Sequence, residues 1–136
     1  MNYNIDFFIS KFEAIPEELF GTGGPDITGR QCTMFHCGYS GSRSFTEESD
    51  ALNSLILSIC KISMDSDGEH AKRYWPVAML NDGRVSKYQQ PTTKQRILAA
   101  LYDIKKMQAP TIKEVEHVGE FIPITFSQIE ELQSAN

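Results

Sequence analysis

With 136 residues, 40% of them hydrophobic and 23% charged, the chain has room for one hydrophobic core and the composition of a folded domain, which excludes a disordered polymer and two independent cores. Thirteen basic against 18 acidic side chains give a formal charge of -5, a field that repels nucleic-acid backbones and anionic lipid surfaces. Three cysteines, an N-terminus interrupted by Asn2, Asn4 and Asp6, and no apolar run near the roughly 20 residues that a bilayer crossing takes lead us to expect reduced thiols, a cytoplasmic location and no membrane span.

Ile5, Phe8, Ile9 and Phe12 recur at helical spacing and predict an N-terminal helix, and Pro16 with two following glutamates predicts a second short helical turn. Residues 21–30 (GTGGPDITGR) hold four glycines and a proline and predict an irregular loop. Residues 31–39 (QCTMFHCGY), bounded by glycines and rich in aromatic and sulfur side chains, read as a short buried strand, with a helical turn as the rival. Ser44 and Glu47 have capping-box spacing before the stripe Leu52, Leu55, Ile56 and Ile59, which predicts a helix. DSDGE at 65–69 is expected to end it. Its glycine stands at the wrong position for a calcium loop. Residues 77–80 and 84–88 flank Asn81, Asp82 and Gly83 as two short strands would flank a tight turn. Thr92 with Gln95 caps a last helix with the stripe Ile97, Leu98, Leu101 and Ile104, closed by Lys105, Lys106 and Pro110. Beyond it, FIPITF at 121–126 reads as an edge strand or extended arm because of Pro123. The expected fold is therefore α+β: one small domain over 1–136, mainly helical, with a few short antiparallel strands.

The densest set of reactive side chains is Cys32, His36 and Cys37. Zinc would take three or four such ligands, but the spacing lacks the paired pattern of zinc sites, and a strand would send the two thiols to opposite faces. A nucleophilic site would take Cys32 or Cys37 as thiolate, His36 or His70 as base, and Asn81 or Asp82 to orient the imidazole. Buried cysteines more often pack as small hydrophobes. The glycine loop could cradle a phosphate through its backbone donors, yet it satisfies neither nucleotide fingerprint. Lys94 with Arg96 and Lys105 with Lys106 read as cations at helix ends. Tyr39, Tyr74, Trp75 and Tyr88, set among polar or turn-forming neighbours, are the residues for a stacking pocket or contact patch, with Asn81 and Asp82 beside them.

In FEAIPEELF, GRQCTMFHCG, ALNSLILSI, LNDGR and PTTKQRILAALYDIKK, spanning about residues 12–106, the chain resembles a domain-of-unknown-function group of small proteins from bacteria and their phages. The resemblance implies a phage, prophage or accessory-gene setting, with host cytoplasm as the location if phage-encoded, and no particular activity. The tail at 110–136 would be an extension to that core. The function expected is non-catalytic binding of a host protein or of a small polar ligand such as a nucleotide signal, with no cofactor, no metal, no nucleic acid and a possible homo-oligomer. The alternatives are a cysteine-dependent hydrolase or transferase and a structural subunit that assembles through the tail.

Overall fold

The computed structural model describes residues 2–60 and 68–108. Helix α1 (Ile5–Ala14) begins at Asn4, whose side-chain oxygen accepts from the Phe7 N–H at 2.9 Å, and it buries Ile5, Phe8, Ile9 and Phe12 as their spacing predicts. Each buried phenylalanine contributes roughly 1.5–3 kcal/mol of transfer free energy. Pro16 stops the helix and opens a 3₁₀ turn, Glu17–Leu19. The glycine loop then leaves and returns to one place. Gly21 N–H donates to the Gln31 carbonyl at 2.9 Å and Gln31 N–H to the Leu19 carbonyl at 3.1 Å, so its base is clamped shut.

Helix α2 (Thr33–His36) is a single turn ending at Cys37 and at Gly38, whose φ of 91° suits only glycine at no cost. Helix α3 (Glu47–Leu57) starts at Thr46, two residues later than the Ser44 and Glu47 pair suggested. The Thr46 hydroxyl donates to the Cys37 carbonyl at 2.7 Å and accepts from the Ser49 N–H, while Ser49 Oγ accepts from the Thr46 N–H. The box is thus anchored to the end of α2. Helix α4 (Glu69–Asn81) and helix α5 (Thr93–Gln108) form the central pair. Helix α1 packs on α5, α2 on α4, and α3 against both. Thr92 and Gln95 make the expected box at 3.2 Å each way, and Ile97, Leu101 and Ile104 are buried, with Leu98 partly so. No helix among the described residues is long and apolar enough to cross a membrane.

The expected strands are absent among the described residues, which are helical and joined by loops. The one strand-like feature is an isolated parallel bridge between Phe20 and Gln31. The α+β expectation is therefore corrected to an all-helical fold for this part of the chain. Residues 31–39 fold as α2, the rival reading, because a helical turn buries Cys32, Thr33, Met34 and Cys37 together where alternation would have split them. Residues 77–80 are the last turn of α4. Pro76 does not break the helix, because the Lys72 carbonyl that it leaves without an N–H donor accepts from Asn53 Nδ2 at 2.7 Å. Asn81, Asp82 and Gly83 end that helix in a Schellman motif: Gly83 N–H reaches the Leu80 carbonyl and Arg84 N–H the Met79 carbonyl, with Gly83 at φ 74°. The turn expected in this run is present, but it ends a helix and does not join two strands. Residues 84–88 form a turn and not a strand: Tyr88 N–H donates to the Val85 carbonyl at 3.0 Å, and Gln89 Nε2 reaches the carbonyls of Gly83, Val85 and Tyr88. The segments at 65–67 and 110–136, including the expected arm at 121–126, lie outside the described residues.

Candidate functional site: a polar cleft beside the glycine loop

Asn81, the last residue of α4, is 1% exposed and uses its whole side chain. Its Oδ1 accepts from Thr33 N–H at 2.9 Å and Thr33 Oγ1 at 2.7 Å. Its Nδ2 donates to the Gly21 carbonyl and to Asp82 Oδ1, both at 2.9 Å. One amide therefore ties the end of α4 to the start of α2 and to the root of the glycine loop. On the other side, Arg96 wraps the end of α4: Nε donates to the Leu80 carbonyl, Nη2 to the Asn81 carbonyl at 2.7 Å and to Thr93 Oγ1, and Nη1 to the Gln90 carbonyl at 2.8 Å. Lys94 serves α1 in the same way, reaching the carbonyls of Glu13 and Ile15 at 2.9 and 2.8 Å. The cations near the start of α5 thus cap two other helices, where helix dipoles favour positive charge.

Between the loop and the α4–α5 junction lies a cleft of about 470 Å³, walled by Thr22, Gly24, Asp26, Arg30, Asp82 and Arg96. Arg30, Thr93 and Arg96 also line a second hollow of about 540 Å³, bounded by Glu17, Glu18, Phe20 and Thr92. Asp26 is committed to its own turn. Its Oδ1 accepts from Thr28 Oγ1, Thr28 N–H and Arg30 N–H, and the Thr28 bonds hold its carboxyl below the usual range. Arg30 differs: its aliphatic stem lies flat on Gly21, so close that a Cβ there would meet Cγ at 2.7 Å, and its guanidinium has no carboxylate partner among the described residues.

The side chains singled out from sequence fall into separate places. Asn81 and Asp82 are at the cleft, Asn81 as its scaffold and Asp82 as its exposed wall. Tyr39 is buried within an aromatic cluster with Phe35, Phe45 and Tyr74, and Tyr74 meets Trp75 edge to face at 5.3 Å. Tyr88 is in the core, its hydroxyl donating to Asp103 at 2.7 Å, and both burial and that carboxylate raise its pKa. Cys32, Cys37 and Cys60 are all buried and free, and burial raises the pKa of each. Cys37 also faces Glu48, whose ion pair with Lys11 lies nearby. Cys32 is hydrogen-bonded to Tyr74, whose own pKa is pushed up to about 12, by burial first. His36 is held between Gln31 Nε2 at 3.2 Å and the Leu19 carbonyl at 2.8 Å, so Nε2 carries the proton and Nδ1 accepts. Burial lowers its pKa, which favours that neutral form. Both ring nitrogens are thus occupied away from either thiol. Among the described residues no group of three or more His, Cys, Asp or Glu side chains is placed to hold a metal ion. His117 lies outside the described residues, as does the side chain of His70.

Arg30, Arg96 and Thr93 were not picked out as site residues by sequence reasoning. Arg30 ends a glycine-rich loop, and its position against Gly21 has no local sequence signature. No family model matches the chain, and neither does any curated protein or solved structure.

Proposed function

We propose that this protein is a non-catalytic binding module that takes a small polar ligand in the cleft between the glycine loop and the α4–α5 junction. The observation that carries the reading is Arg30, whose guanidinium makes no hydrogen bond or ion pair among the described residues, on a wall whose other supports are already fixed. Asn81, Asp26 and Arg96 spend their hydrogen bonds on holding that wall in place. A site built in this way needs little ordering when a ligand arrives, which favours affinity. The volume is in the range of small-molecule sites, and the lining is more polar than such pockets usually are. Buried thiols with raised pKa values and a fully engaged His36 favour binding over thiol chemistry.

A thermal-shift panel of small polar metabolites at millimolar concentration tests the reading. A ligand present at 100 times its Kd stabilises by about 2.7 kcal/mol, an easily read shift, and the shift should vanish in Arg30→Gln. A silent panel, or shifts that Arg30→Gln leaves intact, counts against the cleft.

One observation favours a second reading, a protein partner. Trp75 is 41% exposed beside Tyr74, and Arg73 stacks over Phe45 at 4.2 Å, the residue types that dominate interface energetics. Loss of partner capture in Trp75→Ala with retention in Arg30→Gln would favour it.

A further inference from the structure

Resting on the binding reading above, we infer that the ligand of this cleft carries an anionic head group, phosphate or carboxylate, held by Arg30 together with the amide N–H groups of Thr22 and Gly24, and beside it a hydroxyl or amine that donates to Asp82. Four charged side chains line the cleft, and hydrogen-bond accounting separates them. Arg96 directs four bonds at Leu80, Asn81, Gln90 and Thr93. Asp26 Oδ1 accepts three donors from its own loop, which fixes that carboxylate in its turn, although its Oδ2 has no donor among the described residues. Asp82 Oδ1 accepts from Asn81, which leaves Oδ2 without a donor among the described residues. Arg30 alone directs no side-chain bond at the described residues, so its full fork of donors is available. A guanidinium matches the two oxygens of a carboxylate or phosphate in a bidentate pair, the strongest hydrogen-bonded ion pair that side chains make.

The backbone points the same way. Thr22 and Gly24 line the cleft, and their N–H groups donate to no acceptor among the described residues, whereas those of Gly21, Asp26, Gly29 and Gln31 in the same loop are paired. Unpaired loop donors next to a free guanidinium form a cradle for an anion. The carboxylate of Asp82 makes the site unsuited to a bare anion and suited to one that also brings a donor. Gly21 sets the geometry, because only a residue without Cβ lets the Arg30 stem lie across it.

The test is a low-salt titration of the full chain, followed by amide NMR, with ribose 5-phosphate, gluconate, inorganic phosphate and ribose as probes. The inference expects ribose 5-phosphate, gluconate or both to bind at the cleft, with inorganic phosphate weaker and ribose silent. Which of the two hydroxylated anions binds more tightly distinguishes phosphate from carboxylate. Arg30→Gln should weaken the better probe at least about tenfold, consistent with one lost charge-assisted pair. Gly21→Ala should weaken it as well by displacing the Arg30 stem. Asp82→Asn should reduce its advantage over inorganic phosphate. Binding of ribose or of a cationic amine such as ethanolamine with both anions silent would overturn the inference and leave the binding reading standing. Anion binding that Arg30→Gln leaves unchanged would overturn it too, and silence from every probe would count against both.

Discussion

Replacing Asn81 with alanine is the most searching perturbation of this architecture. The substitution deletes four hydrogen bonds and strands the groups that they served: the Thr33 N–H and hydroxyl, and the Gly21 carbonyl, all in buried residues. A buried polar group left without a partner costs about 1–3 kcal/mol, so the loss should be about 3–5 kcal/mol, a large share of the 5–15 kcal/mol typical of a domain. Equilibrium urea unfolding measures it. Amide spectra of the surviving fold should show residues 21–24 and 33 displaced while α1 is unmoved. Asn81→Asp separates shape from charge. It keeps the acceptor for Thr33, loses the donor to Gly21, and sets a buried carboxylate beside Asp82. Its folded pKa would be raised above the unfolded value of about 3.9, so the added penalty is absent below that pH and grows as pH rises through the interval between the two. An Asn81→Ala loss under about 1 kcal/mol, with the loop amides in place, would refute the claim that this side chain assembles the cleft.

Asn53→Ala should cost about 1 kcal/mol, because it removes the side-chain donor to the Lys72 carbonyl that Pro76 leaves open. In a Pro76→Ala background the cost should shrink, since residue 76 then supplies its own N–H, and a double-mutant cycle in urea reads the coupling. The His36 imidazole should titrate below 6.5 by NMR. Because its folded pKa is the lower one, its contribution to stability is complete above the unfolded pKa and is lost as pH falls through the window beneath 6.5. The three buried thiols should react with iodoacetamide slowly at neutral pH and rapidly in denaturant, and a fast Cys32 or Cys37 in the folded protein would mean that α2 opens readily.

Helices were legible where a stripe and a cap coincided. Ile5 to Phe12 after Asn4, and Ile97 to Ile104 after Thr92, announce both the face and the start of their elements. Local pattern failed where a distant residue decides the outcome. Pro76 and the Asn-Asp-Gly run argue for a strand and a hairpin until Asn53, 19 residues before Lys72, is seen to take the Lys72 carbonyl that Pro76 frees. Cys32 to Cys37 is too short for periodicity to separate a strand from a turn, and the turn is favoured by joint burial of Cys32, Thr33, Met34 and Cys37 and by the bonds that Thr33 donates to Asn81. The cleft was half legible. Asn81 and Asp82 stand out in the sequence as polar residues at a turn, and residues 21–30 as an irregular glycine-rich loop. That Arg30 and Arg96 face them follows from packing between α4, α5 and the loop, which no spacing in the sequence encodes.

The footprint of a small polar ligand tests the cleft most directly. Chemical-shift mapping with the best hit of the metabolite panel should move the amides of residues 21–30, 81–83 and 92–96, with those around Phe45 and Trp75 unmoved. A footprint centred on Phe45, Tyr74 and Trp75, with residues 21–30 silent, would contradict it.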